Sequence, residues 1–332
     1  MIAEKGTERV APAFGLGLIL AALAAGCAAP PALPGQKMDG QESREGRDTS
    51  RPAPPPLPLH TIEGTGGAFF VPSAYLVNAA PPEESWGRPS FGYIHTHLGH
   101  GKNLQALTLT ETIAGRLELG YGLDYLNTGD LYEDVANAGM PRPSGHAVKL
   151  HNLNARFQAF REGDLGTTWL PAMTLGVHYK FNESIEDLDE DLNGGLKSMV
   201  GIEDDQGFDF TLTTSRMFTG LPRPLLVTAG LRCSEAAHIG LLGFTGEWRL
   251  LFEGNLCLMA TDRLILSAEF RQKPSDYEAL PDLIEPEDDW FALCASYIAS
   301  ENVNISVGYG RFGRLLNHRA NRAWGVAVKY EF

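Results

Sequence analysis

The closing stretch of the chain, RAWGVAVKYEF at residues 322–332, carries a large apolar side chain on every second residue. These side chains belong to Trp324, Val326, Val328, Tyr330 and Phe332. Alternate side chains of a β-strand point to opposite faces of the sheet, so the pattern predicts a strand with one apolar face. Because terminal residues usually fray, an apolar-faced strand that runs to the last residue predicts that this strand closes a sheet.

The same alternation recurs through most of the sequence. RLELGYGLDY at 116–125, MTLGVHYKF at 173–181 and NVNISVGYG at 302–310 each set apolar residues against polar or small ones with period two. A helix would place alternate residues on opposing flanks, so these segments are predicted to be strands. The alternation predicts twelve strands, at residues 89–99, 103–113, 116–126, 146–161, 169–182, 207–217, 223–234, 246–260, 263–272, 288–299, 302–312 and 322–332.

The predicted strands have the properties of a membrane barrel. Their number is even, their lengths suffice to cross a bilayer at a tilt, and after the first hairpin short and long connections alternate. Aromatic residues cluster at strand ends, as the two membrane interfaces require. A soluble sandwich or barrel would also alternate, but it would turn its polar face outward. We therefore expect an all-β fold, an antiparallel transmembrane β-barrel of about twelve strands over residues 89–332.

The N-terminal part divides into three predicted segments. Residues 1–26 have the basic start and the apolar run of a secretory signal peptide. The stretch LAAGC makes Cys27 a candidate lipidation site, although Ala24 stands where a strict lipobox has Leu, and ordinary cleavage nearby is the alternative. Residues 27–57 are rich in Pro and charge and predict a flexible tether. Residues 58–88 are rich in Gly and apolar residues, which fits either an entry strand or a plug inside the barrel.

Secretion and a barrel together predict the outer membrane of a Gram-negative bacterium, with both termini in the periplasm. The expected partners are outer-membrane lipid, lipopolysaccharide and the barrel-assembly machinery, with Trp324, Tyr330 and Phe332 as the assembly signal. The net charge of −14 gives no reason to expect nucleic-acid binding. The oligomeric state stays open.

Five segments carry a resemblance to a known family: LPAMTLGVHYKF (170–181), RPLLVTAGLR (223–232), LLGFTGEWRLLFEGNL (241–256), LILSAEFRQKPSDY (264–277) and EDDWFALCASY (287–297). They resemble an uncharacterised family of bacterial outer-membrane proteins, the domain of unknown function DUF3034, over roughly residues 60–332. The closing strand separately resembles the signal that barrel-assembly machinery reads on its clients. The family resemblance implies a fold and a location, and it supplies no catalytic residues.

The first candidates for function are the charged and polar residues at strand positions that are predicted to face the barrel interior. The predicted lumen-lining residues are Arg156, His178, Arg232, Arg249, Glu253, Glu269 and Arg271. Acids and bases on neighbouring strands can pair across a narrow lumen and close it. Alternatively, the arginines can line a narrow channel or a pocket that favours anionic solutes.

Two predicted outer loops hold the acidic charge. Residues 183–206 contain nine acids and one lysine, and residues 273–289 contain seven acids and one lysine. In the first loop, Asp189, Asp191 and Asn193 match the opening of a calcium loop, but the twelfth position is Val200 instead of Glu. A calcium site at this loop is therefore a candidate beside simple solvation, and we expect no other cofactor.

A third candidate is YIHTHLGH at residues 93–100. If Ile94, Thr96 and Leu98 face lipid, His95 and His97 line the lumen. Polar lumen residues are the interpretation that we favour over a metal site, which needs three or four fixed ligands. The sequence thus predicts a non-enzymatic barrel, either a narrow channel or a structural envelope protein. The alternatives are a membrane-embedded lipid hydrolase and a calcium-stabilised surface binding module.

Overall fold

The structure is a computed structural model that describes residues 59–79, 85–145 and 147–332. The predicted signal peptide, the tether at 27–57 and Cys27 lie outside the described residues. Two short strands come first, β1 (Leu59–His60) and β2 (Gly66–Gly67), and they pair with each other.

Twelve longer strands form one closed barrel in which every neighbouring pair is antiparallel. They are β3 (Ser90–Gly99), β4 (Lys102–Ile113), β5 (Leu117–Thr128), β6 (Ala147–Phe160), β7 (Ala172–Asn182), β8 (Gln206–Phe218), β9 (Leu225–Ala236), β10 (Phe244–Met259), β11 (Leu264–Arg271), β12 (Trp290–Ile298), β13 (Val303–Arg311) and β16 (Ala323–Glu331). The predicted fold class and strand number are confirmed, and each predicted strand end lies within three residues of the observed one.

The closing strand occupies the position that its alternation predicted. β16 pairs with β13 on one side and with β3 on the other, with Trp324 opposite His97 and Glu331 opposite Ser90. Closure of this kind pairs the backbone groups that would otherwise lie at an open sheet edge in lipid.

The two ends of the barrel differ in their connections. The turn end carries residues 114–116, 161–171, 219–224, 260–263 and 299–302, together with Phe332. The loop end carries residues 100–101, 129–145, 183–205, 237–243, 272–289 and 312–322. Its elements are α1 (Leu131–Asn137), α2 (Ile185–Asp191), a π-helical turn at Leu196–Val200, a 3₁₀ turn at Ala237–Gly240 and the hairpin of β14 (Arg314–Leu315) with β15 (His318–Arg319). None of the helices in the described ranges is long and apolar enough to cross a bilayer.

The outer wall of the barrel is apolar. Leu153, Leu293 and Val307 are 53%, 51% and 53% exposed, and many leucines and valines of other strands are similarly exposed. Exposed aromatic residues flank this surface, for example Phe91 and Tyr297 toward the turn end. A soluble monomer rarely exposes an apolar patch above a few hundred Å², so an encircling apolar surface is the surface of a membrane barrel.

The inner wall is polar and buried, and it corrects one expectation. On β3, Ile94, Thr96 and Leu98 are the inward, buried residues, whereas His95 lies on the outer face. His97 is also outside, with its ring 5.7 Å from that of Trp324. The predicted phase of β3 was therefore wrong, because the inner wall near the loop end is itself apolar and the apolar residues of β3 match that layer.

Candidate functional site: the occupied lumen

Residues 59–79, here called the plug, fill the interior of the barrel. Residues 60–77 are all buried. The plug turns over near the loop end, where the Phe70 ring meets Trp290 at 5.7 Å. It returns to the turn end, where the Tyr75 hydroxyl donates to Glu162. His60, at the start of the plug, lies beside Gly92 near the turn-end start of β3. The plug is thus a loop that rises from the turn-end half of the barrel and descends again.

The acid Glu63 anchors the rising limb of the plug. Its carboxylate lies 2.8 Å from Lys180 Nζ, 2.8 Å from Arg232 Nη2 and 3.1 Å from Arg271 Nη2. The side chains of all four residues are 3% exposed or less. A buried carboxylate without partners would carry a large desolvation cost, and these three cations offset it.

The tip of the plug is held by an acid of the wall. Three consecutive backbone N–H groups, those of Phe69, Phe70 and Val71, donate to the Glu269 carboxylate at 2.8, 2.9 and 2.8 Å. Successive N–H groups of this kind form a concave anion-binding nest. The Arg271 guanidinium donates in turn to the carbonyl of Phe70, so the tip is bonded in both directions.

The descending limb is fixed through its backbone. Arg156 donates to the Ser73 carbonyl of this limb and, at 3.1 Å, to the Gly66 carbonyl of the rising limb, and its guanidinium pairs with Glu118 at 2.9 Å. The Ala74 carbonyl accepts from the wall residues Gln158 and Thr174, each at 2.7 Å. Polar side chains of the wall therefore satisfy plug backbone groups that are far from water.

The fit between plug and wall depends on glycine at two facing positions. A Cβ on the wall residue Gly120 would lie 2.1 Å from the Gly64 carbonyl oxygen. A Cβ on Gly64, whose φ is +75°, would lie 2.4 Å from the Tyr121 carbonyl oxygen. Two backbones approach each other here as closely as only glycine allows.

An apolar layer lies above the ion pairs at the loop end. Phe70 packs edge-on against Trp290 and Phe312, and loop residues such as Leu241 and Leu315 cover them. The cavity beside Phe69 and Phe70 has a volume of about 30 Å³ and is lined by apolar side chains such as those of Leu98 and Leu241. In the described part of the chain, the plug and this layer therefore fill most of the lumen at that depth.

A second buried polar group lies in the loops. His238 Nε2 is 2.8 Å from the Tyr277 hydroxyl, which donates to the Glu285 carbonyl, and His238 Nδ1 is 3.4 Å from Glu287. Lys273 Nζ is 3.1 Å from the same Glu287 oxygen. Burial lowers the pKa of His238, although Glu287 opposes the shift, and burial raises that of Tyr277.

Six of the seven residues predicted to line the lumen are buried inside the barrel: Arg156, His178, Arg232, Glu253, Glu269 and Arg271. Arg249 is elsewhere, 51% exposed and 2.8 Å from Asp276 in the loop 272–289. The register of β10 against β9 shifts between Phe244 and Arg249, and residues 246–250 are exposed on both faces, so alternation no longer distinguishes buried from exposed positions there. Glu63, the central acid, was missed, since a lone Glu in a Gly-rich segment has no periodicity to place it.

The remaining predicted residues lie on the surface. Trp324, Tyr330 and Phe332 are exposed on the outer wall. Asp189 accepts from the Lys197 N–H at 3.0 Å, and Asp191 accepts from the Ser144 N–H and hydroxyl. Asn193 follows α2 with a φ of +54°. In the described residues no three His, Cys, Asp or Glu side chains are grouped as metal ligands, and the calcium site stays a prediction.

Residues 58–329 match the model of the family described as "Protein of unknown function (DUF3034)". The chain belongs to the DUF3034 family. The DUF3034 match begins at the plug and ends three residues before Phe332, so plug and barrel together are the family unit.

No curated protein matches this DUF3034 chain in sequence. Among solved structures it is similar to the KdgM porin, at 11% identity and a TM-score of 0.43 over 73% of this chain and 99% of that one. It is similar to the NanC porin, at 9% identity and a TM-score of 0.44 over 74% and 100%. It is also similar to outer membrane phospholipase A from Escherichia coli, at 12% identity and a TM-score of 0.36 over 74% and 93%.

Proposed function

We propose that the protein is a channel of the Gram-negative outer membrane that its own plug holds closed. The observation that carries the proposal is the continuous loop at residues 59–79, which fills a polar lumen. His60 at its start lies beside Gly92, near the turn-end start of β3, and Tyr75 close to its other end bonds to Glu162 of the turn end. Outer-membrane barrels have their short turns in the periplasm, so the plug would enter from there and its preceding tether would be periplasmic.

The composition of the contacts supports a plug that can leave. A barrel that is closed permanently gains more from an apolar interior, because replacing buried ion pairs by packed apolar residues is often neutral or stabilising. Here the wall instead presents Thr108, Thr110, Asn152 and Asn154, together with the charged groups. Water can solvate such a wall once the plug has moved, and it can satisfy the freed backbone groups of the plug.

A structural envelope protein is the second candidate, and the apolar layer at the loop end favours it. Leu131, Tyr132 and Val135 of α1 are buried with Leu196 of the loop 183–205 and Leu283 of the loop 272–289. Loops that pack so closely over the mouth would have to move before any solute could cross. In this second function the plug stays in place throughout.

A hydrolase has weaker support. His238, Glu287 and Tyr277 lie together at the loop end, but the three side chains are buried and bonded to each other or to backbone. A lipid substrate would have to reach them through the apolar layer. We therefore propose no enzymatic function.

Recordings in planar lipid bilayers test the proposal. The full-length wild-type barrel is expected to be silent. The double variant Glu63→Ala/Glu269→Ala, which removes both acid anchors of the plug, is expected to show discrete openings. The matched control is Glu190→Ala/Glu301→Ala, which removes two exposed acids and is expected to stay silent.

The folded state of each variant is checked by its heat-modifiable mobility in gels. A folded double variant that is as silent as the wild type would overturn the channel and leave the structural envelope protein. Openings in the control at the frequency of the double variant would show that the plug is not the gate.

A further inference from the structure

We propose that Lys180, Arg232 and Arg271 form a binding site for small carboxylate anions, and that Glu63 of the plug is the internal ligand occupying it. The inference rests on the proposed channel function, because an external anion reaches the site in the barrel only after Glu63 has left. It names the class of solute that such a channel would recognise.

The geometry around Glu63 is that of a bound carboxylate. Arg232 Nη1 lies 3.1 Å from Oε1 and Nη2 lies 2.8 Å from Oε2, the parallel fork in which guanidinium recognises a carboxylate. Lys180 adds a contact of 2.8 Å to Oε1, and Arg271 adds one of 3.1 Å to Oε2. Each carboxylate oxygen thus receives two charged donors.

The wall holds these cations in place independently of the plug. Asp209 on β8 lies 2.7 Å from both Lys180 Nζ and Arg232 Nη1. Glu253 on β10 lies 3.3 Å from Arg232 Nε and 3.0 Å from Arg271 Nε. The five wall residues lie on the five consecutive strands β7 to β11, so the hydrogen-bonded sheet fixes their spacing. Such a site is preorganised, which lowers the cost of binding a new ligand.

The charges of these ion pairs select a monoanion. The wall contributes three cations and the two carboxylates of Asp209 and Glu253, and Glu63 supplies the third negative charge. When Glu63 leaves, one positive charge among these partners is unbalanced. The planar fork of Arg232 then favours a two-oxygen carboxylate over a spherical halide.

The test uses the full-length chain with Glu63→Ala, refolded into detergent micelles with sodium acetate. Acetate replaces the part of the Glu63 side chain that the substitution removes, and refolding lets it enter before the lumen closes. Acetamide, which has the same shape without the charge, and sodium chloride at equal ionic strength are the controls.

The expected result is a saturable rise of the melting temperature with acetate that recovers at least half of the loss caused by Glu63→Ala. The wild type and Glu63→Gln should show no such rise. If the alanine variant does not fold alone, its folding yield against acetate concentration is the readout. Arg232→Lys in the Glu63→Ala background should weaken the rescue, whereas Arg311→Lys, at an exposed residue, should not.

Equal rescue by acetamide or chloride, or no rescue by acetate, would overturn the site. The outcome is separable from that of the bilayer recordings, because the rescue needs no ion flow. Rescue in a barrel whose unplugged variant stays silent would retain the site and refute the channel. Channel openings in the bilayer without rescue by acetate would retain the channel and refute the binding site.

Discussion

The guanidinium of Arg232 donates two parallel hydrogen bonds to the carboxylate of Glu63, although the two residues are 169 positions apart in the chain. Arg232 is also bonded to Asp209 and Glu253 of the neighbouring strands. The binding partners of the plug are therefore assembled by at least three barrel strands. The set of contacts around Glu63 is therefore complete only in the assembled barrel.

Replacing Glu269 by Gln should loosen the tip of the plug. Three N–H groups donate to this carboxylate, and an amide offers one acceptor oxygen and turns a donor toward the others. Hydrogen bonds to charged groups contribute about 1.5–3 kcal/mol, so the free energy of unfolding should fall by about that amount. Urea titration of the barrel in micelles measures it.

The matched control for this change is Glu301→Gln, in the exposed connection 299–302, which should leave the unfolding midpoint unchanged. An equal loss in both variants would mean that the nest around Glu269 contributes nothing specific.

Replacing Gly120 by Ala should displace the plug, while the twelve strands of the barrel stay paired. The new Cβ would lie 2.1 Å from the Gly64 carbonyl oxygen, and neither backbone can yield without moving the plug. Overpacking of this kind costs about 1–3 kcal/mol. Limited proteolysis should then cut within residues 59–79 at a higher rate than in the wild type.

Gly220→Ala is the control for this substitution, because a Cβ there meets no atom within 4 Å. Protection of the plug that is as strong in Gly120→Ala as in Gly220→Ala would contradict the close approach seen between β5 and the plug.

The barrel could be predicted from the sequence because its outer wall must be apolar at every second residue. The phases of β5, β7 and β16 are correct for that reason, with Leu119, Leu175 and Val326 on the outside. The predicted orientation of β3 was wrong, because Ile94 and Leu98 belong to an inner apolar layer. In that strand both faces are partly apolar, and alternation alone does not tell inside from outside.

The wall residues of the site could be predicted from the sequence, whereas Glu63 of the plug could not. Arg232, Glu253 and Arg271 were found because they occupy polar positions in otherwise apolar strands. Glu63 lies in a segment whose shape is set by turns and by the surrounding wall, such as the hydrogen bond from Thr61 N–H to the Thr65 carbonyl. No period of the sequence marks such a segment, and its partners are distant in the chain.

Acidification should destabilise the loops over the mouth through His238. Burial holds its pKa below the ordinary value near 6.5, so the unfolded chain binds more protons than the folded one as the pH falls through that value. The stability contribution is therefore present above this value and is lost as the pH falls toward the lowered pKa. The groups that face the ring are Glu287, Lys273 and Tyr277.

His238→Asn should flatten the pH dependence of the melting temperature between about pH 7 and pH 5. Asn suits this position because the φ of His238 is +47°, which Asn tolerates better than most residues. His95→Asn, on the outer wall, is the control. An unchanged pH profile in His238→Asn would show that this histidine does not titrate in the window.

Replacing Phe332 by Ser should reduce insertion of the barrel into the outer membrane. Phe332 is 55% exposed and lies edge-on to Tyr330 with 4.9 Å between ring centroids, beyond the last residue of β16. More than half of its surface is free of contact with the rest of the described chain, so its loss should affect assembly more than stability. The measurement is the amount of heat-modifiable barrel in the outer-membrane fraction.

The control for interfacial anchoring is Phe218→Ser, which removes an exposed aromatic ring from the last residue of β8, at the turn end of the barrel. Equal accumulation of Phe332→Ser and wild type would refute the assembly signal, whereas equal losses in both variants would assign the effect to anchoring.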